Sequence, residues 1–367
     1  MNACLPSGAF ACALDAWLAG QCAARSAQEL PYCLEAAQLA ALSSTLRYAS
    51  AHSALYSRRL HGYDVCPTSL EAISTLPFTT ADDLHPWEGL LCTPLDAVER
   101  MVTLHTSGTT GSPKRLAFTQ RDLERTLAFF AVGMTCLTGP GRTLAVLLPG
   151  SARPNGVADL LQQALAPSDV TVSYPSPELL TPGSEDLLAI WLRKTAPHAL
   201  VAMPTQLAHL RDIMPQGLPN LTGILSSAEW LDTSLATDLR TRWHCEVLNH
   251  YGLTETGYGC AVECPAHDGF HLRALDVYVE IVDVAHGHPL PLGEPGEVVV
   301  TTLHREAMPL LRYRTGDMAS LLPGPCACGS PLPRLGSILG RLVRDGATGE
   351  TRLAHPTKGR ERSCASL

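Results

Sequence analysis

Four short apolar runs, each ending in a polar or glycine-bearing turn, constrain this chain more than any other feature. They are TLAVLLP (143–149), HALVAMP (198–204), LTGILSSA (221–228) and CEVLNHYG (245–252). Runs of this length and composition predict buried strands, and the longer segments between them carry helical spacing. Strands that alternate with helices predict an α/β fold built on a doubly wound, mostly parallel sheet.

The flanking regions have a different texture. Residues 34–60, LEAAQLAALSSTLRYASAHSALYSRRL, repeat apolar side chains at intervals of three and four, so residues 1–100 are expected to form a helical N-terminal segment. LPFTTADDL (76–84) predicts a helix start capped by Thr79 or Thr80, with Asp82 and Asp83 in its first turn. MVTLHT (101–106) predicts a strand entering a Gly/Ser/Thr loop, and a helix is expected from Thr119 or Gln120. VYVEIVD and GEVVVTTL, separated by a Gly/Pro turn, predict an antiparallel meander. The expected division is a helical segment over 1–100, an α/β core over 101–265, a β-rich subdomain over 266–341 and a tail over 342–367.

Composition excludes several classes of function. The net charge is −8 and no long Lys/Arg run exists, so the basic footprint of a nucleic-acid binder is missing. No stretch of 18 apolar residues predicts a membrane span. The apolar N-terminus has no Lys or Arg before Arg25 and is expected to be a first amphipathic helix rather than a secretory signal. Thirteen scattered cysteines in 367 residues suit reduced thiols in a cytoplasm, with room for one metal site.

The sharpest local motif is HTSGTTGSPK, residues 105–114. Gly108 and Gly111 let backbone N–H groups turn inward; Ser107, Thr109 and Thr110 add hydroxyls and Lys114 a positive charge. A concave set of donors of this kind suits a polyphosphate. It lacks the Gly-Lys-Ser/Thr end of a Walker A loop and the spacing of a dinucleotide fingerprint.

SGTTGSPK resembles the phosphate loop of the adenylate-forming enzymes. Partner motifs follow in the family's order: HYGLTETG (250–257) resembles its adenine-and-magnesium motif, YRTGDMA (313–319) its ribose motif, and LGSILGR (335–341) the stretch leading to its hinge. LPFTTADDL, SSAEWL (226–231), VECPAHDGFHL and REAMPLLRYRTGD narrow the resemblance to the phenylacetate–CoA ligase branch, over roughly residues 35–341. It implies ATP-dependent activation of a small aromatic or hydrophobic carboxylic acid to an acyl-adenylate, with Mg²⁺ as cofactor and CoA as co-substrate. The rival reading is a catalytically silent ATP- or AMP-binding module or regulatory partner.

The resemblance also implies roles. Ser107, Gly108, Thr109, Thr110, Gly111 and Lys114 would hold the β- and γ-phosphates. Glu255 would coordinate Mg²⁺, Thr254 would contact the α-phosphate, and Tyr251, beside Gly252, would stack on adenine. Asp317 would accept from both ribose hydroxyls. Ser227, Ala228 and Glu229 match the segment beside adenine, and Arg341 joins the nucleotide-binding set. His105 and His250 are weaker candidates for the acyl and carboxylate sites.

Cys326 and Cys328 form a Cys-x-Cys-Gly turn, and ECPAHDGFH supplies Cys264, His267 and His271 upstream. Thiolate and imidazole together select zinc, and four such ligands close a tetrahedral structural site. The expected set is Cys264, His271, Cys326 and Cys328, with His267 as the alternative imidazole. The tail departs from the family. No Asp follows Gly-Arg at Arg341, Asp345 is displaced, Lys358 matches no lysine motif, and 342–367 is far shorter than a domain of about 100 residues. A truncated hinge, with a partner chain supplying the small C-terminal domain, is the expectation.

Overall fold

The computed structural model describes residues 10–104, 114–150, 153–344 and 351–354. In chain order its helices are α1 (Ala13–Cys22), α2 (Leu30–His52), α3 (Ala54–Arg59), α4 (Gln120–Gly133), α5 (Val157–Leu165), α6 (Glu185–Thr195), α7 (Pro204–Ile213) and α8 (Thr233–Trp243). The first strands are β1 (Arg100–Leu104), β2 (Lys114–Phe118), β3 (Thr143–Val146), β4 (Thr171–Ser173), β5 (Ala199–Ala202), β6 (Gly223–Ser226), β7 (Glu246–Tyr251), β8 (Ala261–Glu263) and β9 (Phe270–Leu272). They are followed by β10 (Val277–Val282), β11 (Gly296–Thr302), β12 (Tyr313–Ala319), β13 (Leu321–Leu322), β14 (Arg334–Leu335), β15 (Gly340–Arg344) and β16 (Thr351–Ala354).

The four apolar runs form β3, β5, β6 and β7, which pair in parallel, with β4 on the outer side of β3. Every residue of β5 and β6 is buried, because the strands have helices over both faces. Next to β7 the sheet turns antiparallel, and the order across it is β4-β3-β5-β6-β7-β8-β9-β14-β13. A second, five-stranded antiparallel sheet has the order β10-β11-β12-β15-β16.

The topology adds three particulars. Among the described residues β1 pairs with β2 alone, antiparallel, in a separate two-stranded ribbon outside the parallel sheet. Nine residues separate the two strands, too few for the helical crossover that parallel pairing needs. The boundary at 265/266 falls inside the nine-stranded sheet, since β8 pairs with β9 across it and the second sheet begins only at Val277. Residues 342–344 and 351–354 are strand, with Arg341 opposite Ala354 and Leu342 opposite Leu353.

Local chemistry fixes the element ends. Thr119 caps α4, accepting from the Asp122 amide, while the Asp122 carboxylate accepts from the Thr119 amide at 3.0 Å. The same carboxylate also accepts from the amides of Glu306 and Ala307, at 2.8 and 3.1 Å, and so pins a distant loop to this helix start. The stretch at LPFTTADDL makes one 3₁₀ turn, Ala81–Leu84, with Thr80 and Asp83 in a capping box. The N-terminal helices reach the second sheet through Tyr56, whose hydroxyl accepts from the Leu311 amide at 2.9 Å. No helix among the described residues is long and apolar enough to cross a membrane.

Candidate active site and metal centre

The carboxyl ends of parallel strands are where ligands dock in doubly wound sheets, and the segments SSAEWL and HYGLTETG lie at the ends of β6 and β7. Tyr251 is the last residue of β7, and its hydroxyl donates to Asp317 Oδ2 at 3.1 Å. Asp317 lies on β12, so this bond joins the two sheets. Burial, reinforced by the Asp317 carboxylate, raises the Tyr251 phenol well above its ordinary range, so it stays a donor. Gly316 at φ 75 turns the strand ahead of Asp317, and the Asp317 amide donates to Thr315 Oγ1 at 3.0 Å. Arg341 Nη1 lies 3.8 Å from Asp317 Oδ1.

Gly252 must lack a side chain, since a Cβ there would sit 2.5 Å from the His250 ring and 2.7 Å from the Tyr258 carbonyl. After it, Thr254–Thr256 make a 3₁₀ turn that presents Thr254 and Glu255, both partly exposed. Glu255 is held twice: Tyr313 Oη donates to its Oε1 at 2.9 Å, and Arg305 Nη2 donates to its carbonyl at 3.2 Å. One carboxylate oxygen accepts from Tyr313, and the side chain keeps lone pairs of the hard kind a divalent cation takes. Burial and the neighbouring Glu255 push the Tyr313 phenol well above its usual value.

Ser227 follows β6, and its hydroxyl meets His250 Nδ1 at 3.2 Å. Burial pushes His250 down to about 4, so the imidazole is neutral near pH 7. Ala228 takes a left-handed φ of 71. Glu229 is engaged elsewhere, accepting from the Thr205 amide at 3.1 Å in the first turn of α7. Lys114 opens β2, opposite Leu104. His105, Ser107, Gly108, Thr109, Thr110 and Gly111 lie outside the described residues, as do Asp345 and Lys358.

The sulfur-bearing residues meet in a second cluster. The ligating atoms of Cys264, His271, Cys326 and Cys328 all lie within 4.8 Å of one another. Cys264 Sγ is 3.7 Å from Cys326 Sγ, and Cys328 Sγ is 3.7 Å from His271 Nε2. His267 stands apart: it contacts Glu246 at 3.0 Å and Arg240 at 3.0 Å. The rear of the cluster is closed by α1. Asp15 is fully buried, accepts from Ser330 Oγ at 2.8 Å, and lies within 4.8 Å of a His271 ring nitrogen. His271 Nδ1 and Asp15 Oδ2 are buried with no hydrogen-bond partner among the described residues. Three thiols and one imidazole suit zinc, and a carboxylate behind a ligating histidine is the usual second contact of such a site.

Tyr313, Arg305 and Asp15 were not found by sequence reasoning. Tyr313 opens the YRTGD motif and Arg305 the REAMP stretch, but no local spacing tells which of their neighbours Glu255 meets. Asp15 lies more than 240 residues before its metal-side neighbours, and nothing in its surroundings signals them.

Residues 1–304 match the family model described as AMP-binding enzyme. The phenylacetate-coenzyme A ligase of Pseudomonas putida is 31% identical over 325 residues, covering 83% of this chain and 70% of the relative. That of Thermus thermophilus is 29% identical over 330 residues, covering 84% of this chain and 70% of the relative. A crystal structure of 2-hydroxyisobutyryl-CoA ligase with 2-HIB-AMP and CoA superposes with a TM-score of 0.73 at 21% identity, over 84% of this chain and 68% of that one. This last likeness shows a shared fold.

Proposed function

This chain belongs to the AMP-binding enzyme family, and we infer from that premise and from the site that it activates a carboxylic acid with ATP and passes the acyl group to CoA. The observation that carries the reading is the pairing of Tyr251 with Asp317 beside the Tyr313–Glu255 pair, at the carboxyl end of β7. It is an AMP-forming acid–CoA ligase type of enzyme. We propose a small aromatic or hydrophobic acid as its substrate.

The first half-reaction joins two anions: a carboxylate oxygen attacks the α-phosphorus of ATP, the bond to the bridging oxygen breaks, and pyrophosphate leaves. Such a step needs charge neutralisation and alignment more than covalent help. Asp317 would take the ribose hydroxyls, with Arg341 steadying the carboxylate, and Tyr251 would flank the adenine. Thr254 would donate to the α-phosphate, and Lys114 with the 107–111 loop would meet the outgoing pyrophosphate. Glu255, fixed by Tyr313 and Arg305, would hold Mg²⁺, which when bound offsets phosphate charge. His250, neutral and next to Ser227, can accept or donate one hydrogen bond at the carboxylate without adding charge. The acyl-adenylate then loses AMP as the CoA thiolate attacks the acyl carbon.

Acid-dependent ATP–pyrophosphate exchange across a panel of acids tests this reading. Exchange is expected with at least one acid; tight nucleotide binding with no exchange would overturn it. Lys114→Ala should slow exchange by roughly 30- to 1000-fold, from a loss of about 2–4 kcal/mol of charge stabilisation. It should weaken ATP binding more than AMP binding, and equal losses would remove Lys114 from the phosphate site.

We propose that Cys264, His271, Cys326 and Cys328 hold one structural zinc. The support is the donor set and the orphaned His271 Nδ1 facing the Asp15 side. Elemental analysis of protein purified without chelator should give about one zinc per chain. Cys326→Ser should lower both zinc content and melting temperature; protein that holds no zinc and takes none up would refute the site.

A further inference from the structure

Beside the Thr254–Glu255 turn stand two buried donors with nothing to donate to. Tyr258 is 7% exposed, and neither its hydroxyl nor Arg100 Nη1 has a hydrogen-bond partner among the described residues. The Arg100 guanidinium lies over the Tyr258 ring, 4.9 Å from its centroid. Native structures leave very few buried polar atoms unpaired, so two at one spot require an explanation. We propose that Arg100 and Tyr258 form a recognition point for a second oxygen acceptor on the acid substrate, a hydroxyl, carbonyl or carboxylate oxygen remote from the carboxyl group that is activated. This rests on the adenylating function inferred above and specifies its substrate class.

The placement is built rather than accidental. Tyr258 holds a left-handed φ of 67, a conformation that costs a tyrosine energy and persists only when its surroundings impose it. Its amide donates to the Leu253 carbonyl at 3.0 Å, closing the loop around Thr254 and Glu255, so the ring is tied to the turn where the acid's carboxyl must react. The ring stacks on Phe118 at 5.8 Å and 18°, and Arg305 lies over Phe118 at 4.6 Å. This column stops the phenol from rotating out to water. One residue on, a Cβ at Gly259 would meet the Phe129 ring at 2.7 Å, so an aromatic wall adjoins the two donors.

The charges around Arg100 suit an acceptor. Burial lowers the Arg100 pKa, while Tyr258 and Asp159 favour its charge and Arg153 opposes it. Asp159 is not the missing partner, since no ion pair joins it to Arg100 among the described residues; its Oδ2 accepts from the Asn155 amide at 2.7 Å. A guanidinium and a phenol are both hydrogen-bond donors to an oxygen. An acid without that oxygen leaves both unpaired, and sites of this kind reject such analogues.

The test is pyrophosphate exchange with phenylacetate, meta- and para-hydroxyphenylacetate and para-carboxyphenylacetate, for the natural chain, Tyr258→Phe and Arg100→Met. The natural chain should favour an oxygen-bearing acid, and Tyr258→Phe should cut the ratio of its kcat/KM to that of phenylacetate by about tenfold, the worth of one hydrogen bond. A preference for hydroxyl acids should fall most in Tyr258→Phe, and one for the carboxyl acid most in Arg100→Met. Ligand-free Tyr258→Phe should melt no lower than the natural chain, because it removes an unpaired buried hydroxyl; a fall would mark the hydroxyl as structural and overturn the proposal. A natural chain indifferent to the oxygen, or ratios unchanged in both variants, would also overturn it. If no acid supports exchange, the inferred activity fails by itself. Calorimetric titration of the same acids with AMP present then decides the recognition point: a preference erased by Tyr258→Phe sustains it, and no preference ends it.

Discussion

The parallel strands and the five-stranded sheet are both buried, yet they are built on opposite chemistry. β5 and β6 are almost wholly apolar, and the cluster around them includes Leu147, Leu188 and Leu192. β10, β11 and β12 bury ion pairs instead. Arg312, just before β12, is 2% exposed and donates to Glu280 at 3.0 and 3.1 Å, and Arg314 pairs with Glu297. An apolar strand tolerates any neighbour of the right shape, whereas a buried guanidinium needs particular acceptors. The first sheet is therefore held by volume and the second by pairing.

Removing one partner of a buried pair should break this contrast most strongly. Arg312→Met leaves the Glu280 carboxylate buried without its cation, at a cost of about 3–5 kcal/mol, read by denaturant unfolding. Adding Glu280→Gln should recover only part of that loss. Arg312 also donates to the carbonyls of Ser74 and Leu76, at 2.7 and 2.8 Å, and the double variant leaves both without it. Full recovery would mean that these carbonyls find other donors and that the second sheet, too, is held mainly by volume.

The corresponding lesion in the parallel sheet is a cavity. Leu200 is fully buried on β5 between β3 and β6, so Leu200→Ala should cost about 3 kcal/mol, in the middle of the range for such truncations. Its cost should not change between pH 5 and 8, because no charge is exposed. A pH-dependent loss would show that the apolar strands depend on the ion pairs after all.

This contrast explains what the sequence disclosed. Unbroken apolar runs have one reading, and β3, β5, β6 and β7 stand where TLAVLLP, HALVAMP, LTGILSSA and CEVLNHYG predict them. Capping chemistry was equally legible at Thr119 and at Thr80. β2 was not foreseen, because KRLAF is only five residues long and does not alternate polar with apolar side chains. The nine-stranded sheet's antiparallel edge was missed for a similar reason: β13 and β14 are two residues each, with no period to detect. In the candidate site the motif residues could be named in advance. Their fixing partners could not, since Tyr313 on Glu255 and Asp15 behind His271 depend on contacts across the fold.

The smallest expected effect lies where the two sheets meet. Tyr251 ends a strand of the first and Asp317 sits on a strand of the second, and the 3.1 Å bond between them links the two sheets at the proposed nucleotide site. Tyr251→Phe removes it while keeping the ring. Asp317 retains Arg341 at 3.8 Å, so no carboxylate is stranded and the loss should be about 1 kcal/mol. The pH dependence follows from the raised phenol. A group whose folded pKa lies above its unfolded value contributes stability that is fully present below the unfolded value, near 10, and is lost as pH rises through the folded one. The natural chain should therefore lose stability above about pH 10, and Tyr251→Phe should lose less over the same interval. In exchange assays the variant should raise the KM for ATP and leave the KM for the acid in place, as the ribose role proposed for Asp317 requires. An equal rise in both would mean that the bond sets the spacing of the sheets rather than the grip on nucleotide, and that the parallel and antiparallel regions act as one unit at the site.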